Sequence, residues 1–249
     1  MKAFVLAEPG KVKWFDAPEP QLVPYGAILK PVAVTPCSSD VHTVFGGGSK
    51  KQDNLVLGHE CIAEVVSVGE NVCDFKTGDR VAVPAITPDW REKSIQEGND
   101  RHASAPFSGH QLGRTQPGVF SERFLIKDAD TTLAHIPQKI SEEQALMSVD
   151  VVTTGFTGAE YADIKIDTVC VIGIGPIGLM AVAGAKLRGA ARIIAVGTRP
   201  KCVQLAKYYG ATDVLSYKEG DIVQQVKELT NGIGVDATII AGGTAEVLT

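Results

Sequence analysis

The sequence predicts an α/β protein in which a β-rich domain precedes a doubly wound parallel sheet. Short strand-like runs separated by glycine, proline and aspartate fill the first part of the chain, residues 1–152. Strand-like and helix-like runs alternate in the second part, residues 153–249. In that part a GxGxxG motif, Gly173 to Gly178, joins a strand-like run to a helix-like one. A length of 249 residues also fits two domains.

The first domain is predicted from short apolar runs with turn residues between them. Its strands are expected at residues 2–6, 27–34, 61–68, 80–84 and 119–126. The polar stretch 90–117 is expected to be a long irregular excursion. A helix is predicted to begin after Ser141, because serine is a preferred N-cap and acidic residues follow it directly.

The second domain is predicted from strands at residues 168–172, 192–196, 213–215 and 235–241. The stretches between them, such as 178–187 and 221–229, have helical spacing. This order is typical of right-handed βαβ units in a parallel, doubly wound sheet. Because the dinucleotide-binding form of this sheet usually has about six strands, we expect the sheet to be incomplete and the chain to be truncated at its C-terminal end.

The GxGxxG motif predicts a dinucleotide site. Its glycines allow a tight turn and let a pyrophosphate approach the backbone at the N-terminus of a helix. A glycine-rich turn without a ligand is the alternative. The candidate cofactor-binding residues of this turn are Gly173, Gly175, Pro176, Ile177 and Gly178.

The end of the next strand predicts which dinucleotide binds. A carboxylate there would hold the ribose 2′-hydroxyl of NAD, but the chain has Gly197, Thr198 and Arg199 instead. Arg199 can form a forked, charge-assisted pair with a 2′-phosphate. A merely solvated arginine at a helix start is the alternative interpretation. The prediction is therefore NADP and, with it, hydride transfer.

A second set of candidates predicts a metal site in the first domain. Cys37 lies in the run TPCSSDVH, His59 and Glu60 lie in LGHE, and Asp150 lies between the domains. Cysteine, histidine and carboxylate are zinc ligands, and three protein ligands leave a fourth position open, as in catalytic sites. The alternative is that the cysteine is simply buried and that His59 is a hydrogen-bonded turn residue.

Composition and charge exclude several classes of function. The net charge is −5, and no basic stripe or long apolar run indicates nucleic-acid or membrane binding. The N-terminal apolar run is too short for a signal peptide. The five cysteines are odd in number and have no CxxC spacing, so we expect a reducing, cytoplasmic setting.

Several motifs occur in an order typical of one family. They are TPCSSDVHTVF, LGHE, TPDW, TTGFTGAE, GIGPIG, AGAKLRGA and VGTRP. In them the whole chain resembles the medium-chain zinc-dependent alcohol dehydrogenases, particularly the NADP-dependent secondary alcohol dehydrogenases of anaerobic bacteria and protists. The resemblance implies a GroES-like zinc catalytic domain at residues 1–152 and a partial Rossmann NADP-binding domain at residues 153–249.

The resemblance also implies roles for the metal-site residues. Cys37, His59 and Asp150 match the ligands of a catalytic zinc ion, and Glu60 matches a carboxylate that can approach the metal. One catalytic zinc ion per chain is expected, without a structural zinc ion, because the chain has no cysteine between Cys73 and Cys170.

Further roles follow from the same resemblance. Ser39 matches a hydroxyl that contacts the substrate oxygen and passes its proton outward, and His42 continues this relay towards solvent. Asp40 matches a carboxylate that orients a ligand of the metal.

The resemblance places other residues at the cofactor and the substrate. Gly197, Thr198, Arg199 and Tyr217 match the surroundings of the adenosine 2′-phosphate, with an ordinary half-exposed Tyr217 as the alternative. Ala85 and His110 match residues of the substrate pocket.

The chain also departs from the family pattern. Ala63 replaces a usual glycine, His110 stands where a tryptophan is usual, and Thr157 replaces a histidine. The relatives continue past residue 249. A smaller, polar His110 is expected to change the shape of the substrate pocket.

The predicted function is a hydride transfer between NADP(H) and a small secondary alcohol, ketone or aldehyde. A homotetramer is implied for the full-length protein. Two alternatives are a non-catalytic, truncated NADP-binding remnant and a zinc-free NADPH quinone reductase of the same superfamily. The latter lacks the ligand set formed by Cys37, His59 and Asp150.

Overall fold

The structure is a computed structural model, and it describes residues 1–46, 54–98, 109 and 111–242. The chain forms two compact units, Met1–Asp150 and Val151–Thr249. The predicted pocket residue His110 lies outside the described residues. Within the described ranges no helix is both long and apolar enough to cross a membrane.

The first unit contains two antiparallel sheets. A three-stranded sheet has the order β2-β1-β4, and a five-stranded sheet has the order β7-β3-β5-β6-β8. The strands are β1 Lys2–Glu8, β2 Lys11–Asp16, β3 Ala27–Thr35, β4 Leu55–Val56, β5 Glu60–Val68, β6 Arg80–Val83, β7 Phe124–Ile126 and β8 Ala134–His135. The helices are α1 Ser38–Phe45, α2 Lys93–Gln96, α3 Ala129–Thr132 and α4 Glu142–Ser148.

The central strands of the larger sheet were well marked in the sequence. In β3, Ala27 and Leu29 are buried and Lys30 is exposed, which is the alternation of a half-buried strand. The first residues of β5 are all buried, and they pair with β3 on one side and β6 on the other. Ser141 caps α4 as predicted, because its side chain accepts a hydrogen bond from the Gln144 N–H at 3.3 Å.

The predicted strand at 119–126 is shorter in the structure. Only Phe124–Ile126 pairs with β3, through the register Leu29 to Phe124. The backbone N–H groups of Val119 and Phe120 instead donate to the carbonyls of Gly58 and Leu57, at 3.0 and 2.9 Å. The apolar run is therefore divided between two partners.

The second unit contains a four-stranded parallel sheet with the order β11-β10-β9-β12. The strands are β9 Thr168–Ile172, β10 Arg192–Val196, β11 Asp213–Leu215 and β12 Ala237–Ile240. The helices are α5 Val151–Tyr161, α6 Pro176–Leu187, α7 Pro200–Tyr209 and α8 Ile222–Leu229. The α/β class and the doubly wound order are thus confirmed.

An arginine holds one end of this parallel sheet together. Arg192 on β10 donates to both carboxylate oxygens of Asp213 on β11, at 2.8 and 3.0 Å, and to the Leu229 carbonyl at 2.7 Å. A forked arginine–carboxylate pair fixes geometry as well as charge. It ties two strands to the end of α8.

Candidate metal centre and dinucleotide site

The first part of the candidate metal centre is the start of α1. Cys37 is the N-cap residue of this helix, with an extended backbone at φ −97° and ψ 159°. Its N–H donates to Oδ2 of Asp40 at 2.9 Å. Because the aspartate satisfies this N–H group, which the helix itself leaves without a partner, it fixes the backbone that carries the Cys37 thiol.

The second part is the turn that leads into β5. Gly58 has φ +90°, a conformation that favours glycine, and His59 and Glu60 follow it with 2% and 1% of their surface exposed. Nδ1 of His59 lies 3.2 Å from Oδ1 of Asp40. An imidazole that donates from Nδ1 presents Nε2 as a ligand atom.

The ligand atoms of four side chains converge around His59. One ligand atom each from Cys37, His59, Glu60 and Asp150 lie within 4.8 Å of one another. Nε2 of His59 lies 3.7 Å from Oε1 of Glu60 and 3.6 Å from Oδ2 of Asp150. Asp150 is on the turn after α4.

This donor set fits a zinc ion. Thiolate, imidazole and carboxylate are the three ligand types that zinc takes in proteins. In the part of the chain that the structure describes, Oε2 of Glu60 is buried without a hydrogen-bond partner. A cation beside Glu60 would compensate an oxygen that is otherwise costly to bury.

The charges of the cluster are strongly coupled. Burial lowers the pKa of His59, but hydrogen bonds with Asp150, Asp40 and Cys37 outweigh it and raise the pKa to about 11. The hydrogen bond from His59 lowers the pKa of the Cys37 thiol to about 7, against burial. Burial, with the charges of Asp150 and Cys37, raises the pKa of Glu60 to about 8. A bound cation would displace the protons held here.

The other predicted residues of this region occupy different positions. Oγ of Ser39 lies 3.3 Å from Nε2 of His59, so the hydroxyl borders the cluster. Ala85 is 2% exposed, and its N–H donates to the carbonyl of Val149, the neighbour of Asp150, at 3.1 Å. His42 is exposed on α1.

The predicted dinucleotide turn has the geometry that the motif requires. Gly173 has φ +88°, and a Cβ atom added at Gly178 would collide with the Gly173 carbonyl oxygen. Gly175 is the N-cap of α6, and Pro176 with Ile177 forms its first turn. A helix leaves the N–H groups of its first turn without internal partners, so these groups can bind an anion. Pro176 removes only one N–H group, at a position where the helix does not use it.

The residues after β10 lie beside this turn. A Cβ atom added at Gly175 would lie 3.5 Å from Nη2 of Arg199, and the Gly197 Cα packs against the Ile174 side chain. The Thr198 hydroxyl donates to the Tyr217 hydroxyl at 3.1 Å. Arg199 is exposed and forms no ion pair with any described residue.

Comparison with known proteins adds independent observations. Residues 24–138 match the alcohol dehydrogenase GroES-like domain, and residues 176–249 match the zinc-binding dehydrogenase domain. The NADP-dependent isopropanol dehydrogenase of Thermoanaerobacter brockii is 55% identical over 249 residues, which are 100% of this chain and 71% of that protein.

The chain belongs to the zinc-dependent medium-chain alcohol dehydrogenase family. Its similarity to the NADP-dependent isopropanol dehydrogenase of Clostridium beijerinckii is 52% identity, over 100% of this chain and 71% of that protein. This assignment favours the predicted enzyme over a zinc-free quinone reductase and over a non-catalytic remnant.

Solved structures of alcohol dehydrogenases have the same fold. Alcohol dehydrogenase TADH from Thermus sp. ATN1 superposes with a TM-score of 0.87 at 27% identity, covering 100% of this chain and 72% of its own. Zinc-dependent alcohol dehydrogenase 2 from Streptococcus pneumonia, in its apo form, also gives 0.87, at 30% identity with coverage of 98% and 69%. The GroES-like and Rossmann predictions are thereby confirmed.

Sequence reasoning missed one contributor to the metal centre. The backbone N–H of Gly58 donates to the Asp40 carboxylate, beside the contacts from Cys37 and His59. The signal was the glycine directly before His59, since a glycine there permits the left-handed turn that aims this N–H.

Proposed function

We propose that the protein is an NADP-dependent alcohol dehydrogenase that interconverts small secondary alcohols and ketones by hydride transfer. The observation that carries the proposal is the buried cluster of Cys37, His59, Glu60 and Asp150 in a chain that also has the GxGxxG turn. The names of the two isopropanol dehydrogenases, at 55% and 52% identity, support the substrate class and the cofactor.

The proposal assigns one zinc ion to the cluster. Cys37, His59 and Asp150 would hold the ion. Glu60 lies within reach, either as a fourth ligand or in place of one of these three. When bound, zinc supplies a Lewis acid that polarises the alcohol or carbonyl oxygen of the substrate. The protein positions the donors and excludes water, since His59 and Glu60 are almost fully buried.

Ser39 and His42 are proposed to move the substrate proton. Ser39 borders the cluster at 3.3 Å from His59 Nε2, and this distance supports proton exchange between its hydroxyl and a substrate oxygen bound there. His42 follows one helical turn later on α1 and is exposed to solvent. Together they support a short path from the substrate to water.

The dinucleotide is proposed to bind on the second unit. The α6 N-terminus and the close-packed glycines support a pyrophosphate site. Arg199, exposed and without an ion pair among the described residues, supports a 2′-phosphate contact, with Thr198 and Tyr217 beside it. This arrangement favours NADP over NAD.

The substrate is proposed to be small. Ala85 supports this, because its methyl group is buried in the bend after β6, where its N–H bonds to the carbonyl of Val149, next to the ligand Asp150. A homotetramer and a cytoplasmic location belong to the same proposal. All five cysteines are free, in keeping with a reducing compartment.

The test is turnover of 2-propanol with NADP and NAD, and of acetone with NADPH and NADH, by the zinc-loaded chain. We expect turnover with NADP(H) only, and loss of zinc and activity together in Cys37→Ser and Asp150→Ala. Cys73→Ser is the matched control, since Cys73 is an exposed thiol away from the cluster. Activity retained by a metal-free Cys37→Ser variant would defeat the proposal.

A further inference from the structure

Residues 118–120 of the first unit, the 118–120 segment, run along the turn that carries His59. It pairs with the residues before His59 in a ladder of backbone hydrogen bonds. These are Gly118 N–H to Val56 O at 2.9 Å, Val119 N–H to Gly58 O at 3.0 Å and Phe120 N–H to Leu57 O at 2.9 Å.

One peptide group connects this ladder to the metal centre. The carbonyl of the peptide between Leu57 and Gly58 accepts from Phe120, and the N–H of the same peptide donates to Asp40. Asp40 in turn lies 3.2 Å from Nδ1 of His59. Hydrogen bonds in series polarise one another and constrain each other's geometry. The chain of contacts therefore leads from Phe120 to the His59 imidazole.

Close packing holds that peptide group in one orientation. The Phe120 ring occupies the space where a Cβ atom of Gly58 would be, and Gly58 has φ +90°. A Cβ atom added at Gly118 would collide with the carbonyl oxygens of Leu57 and Gly58. These contacts leave the turn no room to rotate while the 118–120 segment stays in place.

We propose that the 118–120 segment positions the metal ligands of this protein. Gly118 and Phe120 are positioning residues: they hold the Leu57–Gly58 peptide, this peptide orients Asp40, and Asp40 aims Nε2 of His59 at the cluster. The inference rests on the proposed function, because it takes the ion held at His59 to be zinc.

The test compares Gly118→Ala with Gly69→Ala in the full chain. A Cβ atom at Gly69 would likewise collide with two carbonyl oxygens, those of Val23 and Pro24, but Gly69 follows the far end of β5 from His59. We expect both variants to lose stability. Only Gly118→Ala should bind zinc more weakly, by about 10- to 100-fold, with Gly69→Ala close to the unmodified chain. The dissociation constant is measured by competition with a chelator.

A double-mutant cycle tests the path through Asp40. We expect Gly118→Ala to add little further loss of zinc affinity in a chain that already carries Asp40→Asn. Additive losses in the cycle, or equal zinc affinities for Gly118→Ala and Gly69→Ala, would overturn the proposal.

If an alanine variant does not fold, a second pair of variants tests the same inference. Phe120→Leu keeps the backbone hydrogen bond and removes the ring over Gly58, whereas Phe75→Leu makes the same change beside His135. We expect weaker zinc binding for Phe120→Leu alone, and equal zinc affinities overturn the inference. If the unmodified chain binds no zinc, the proposed function fails, which is a different outcome.

Discussion

Asp40 contacts His59 through Oδ1, at 3.2 Å from Nδ1, and contacts Cys37 through Oδ2, at 2.9 Å from its backbone nitrogen. A single carboxylate thus supports two candidate ligands that come from different elements, the start of α1 and the turn before β5. Its removal should disturb both ligands together.

We predict that Asp40→Asn weakens zinc binding by about 10- to 100-fold, because the carboxylate that orients His59 and raises its basicity is lost. Asp130→Asn is the matched control, since the Asp130 carboxylate also accepts two backbone N–H groups, from Cys73 and Asp74, away from the metal centre. Zinc affinity is measured by chelator competition. Equal zinc affinity in both variants would show that Asp40 does not orient the site.

We predict a low-pH onset of thiol reactivity at Cys37 in the metal-free chain. The hydrogen bond from His59 lowers the pKa of this thiol to about 7, so the reactive thiolate is present at neutral pH and disappears as the pH falls below that value. Iodoacetamide labelling, read at the Cys37 peptide by mass spectrometry, should have its midpoint near pH 7. Added zinc should suppress the labelling, and a midpoint near the ordinary thiol value of 9.0 would contradict the geometry.

We predict that Arg199→Ala weakens NADPH binding by about 10- to 150-fold, which corresponds to the roughly 1.5–3 kcal/mol of a charged hydrogen-bonded contact. NADH binding should change little, because NADH has no 2′-phosphate. Fluorescence titration of both cofactors measures the difference. Arg188→Ala is the control, since Arg188 forms an exposed ion pair with Glu160 at 3.3 Å. Equal losses for the two cofactors would remove the 2′-phosphate assignment.

We predict that Arg192→Lys lowers the free energy of unfolding by about 1–2 kcal/mol, because lysine keeps the charge but cannot make the forked contact with Asp213 or reach Leu229 in the same way. Arg188→Lys, at an exposed pair, should change it by less than about 0.5 kcal/mol. Denaturant unfolding of both variants measures this. A similar loss of stability in both variants would show that the contacts of Arg192 with Asp213 and Leu229 contribute no more than an exposed ion pair.

The parallel sheet was the part of the fold that the sequence predicted most closely. Strands β9, β10 and β11 begin and end at the predicted residues. The first two are short apolar runs buried between helices, and turn residues mark their ends clearly. Packing agrees here with the local pattern, so the pattern was sufficient.

Two elements whose local pattern is not typical of their type were missed. Strand β2, KVKWFD, alternates lysine with apolar residues, but it is an edge strand in which Val12 and Trp14 are exposed, so the alternation does not mark a buried face. Helix α1 begins at Cys37, which is not a usual N-cap, and relies on Asp40 to satisfy the Cys37 N–H. The cap of α1 is a local contact, but a cysteine at this position does not predict it.

The metal cluster could not be derived from spacing. Cys37, His59 and Asp150 are far apart in the sequence. Their residue types made them candidates with an alternative left open, and the family resemblance made them ligands. The structure brings their ligand atoms within 4.8 Å of one another. The supporting contacts of Gly118 and Phe120 could not be predicted for the same reason, because these residues are also far from His59 in the sequence. These contacts form where the first part of the apolar run 119–126 pairs with the turn before His59 instead of with β3.

All members of the cluster lie in Met1–Asp150, and the last of them is the final residue of that unit. A ribosome makes the chain from its N-terminus, and domains generally fold in that order. The donor set is therefore available before the parallel sheet, in which β12 ends at Ile240, has been completed. Vectorial synthesis thus permits a nascent chain to acquire its metal ion well before it is able to hold a dinucleotide.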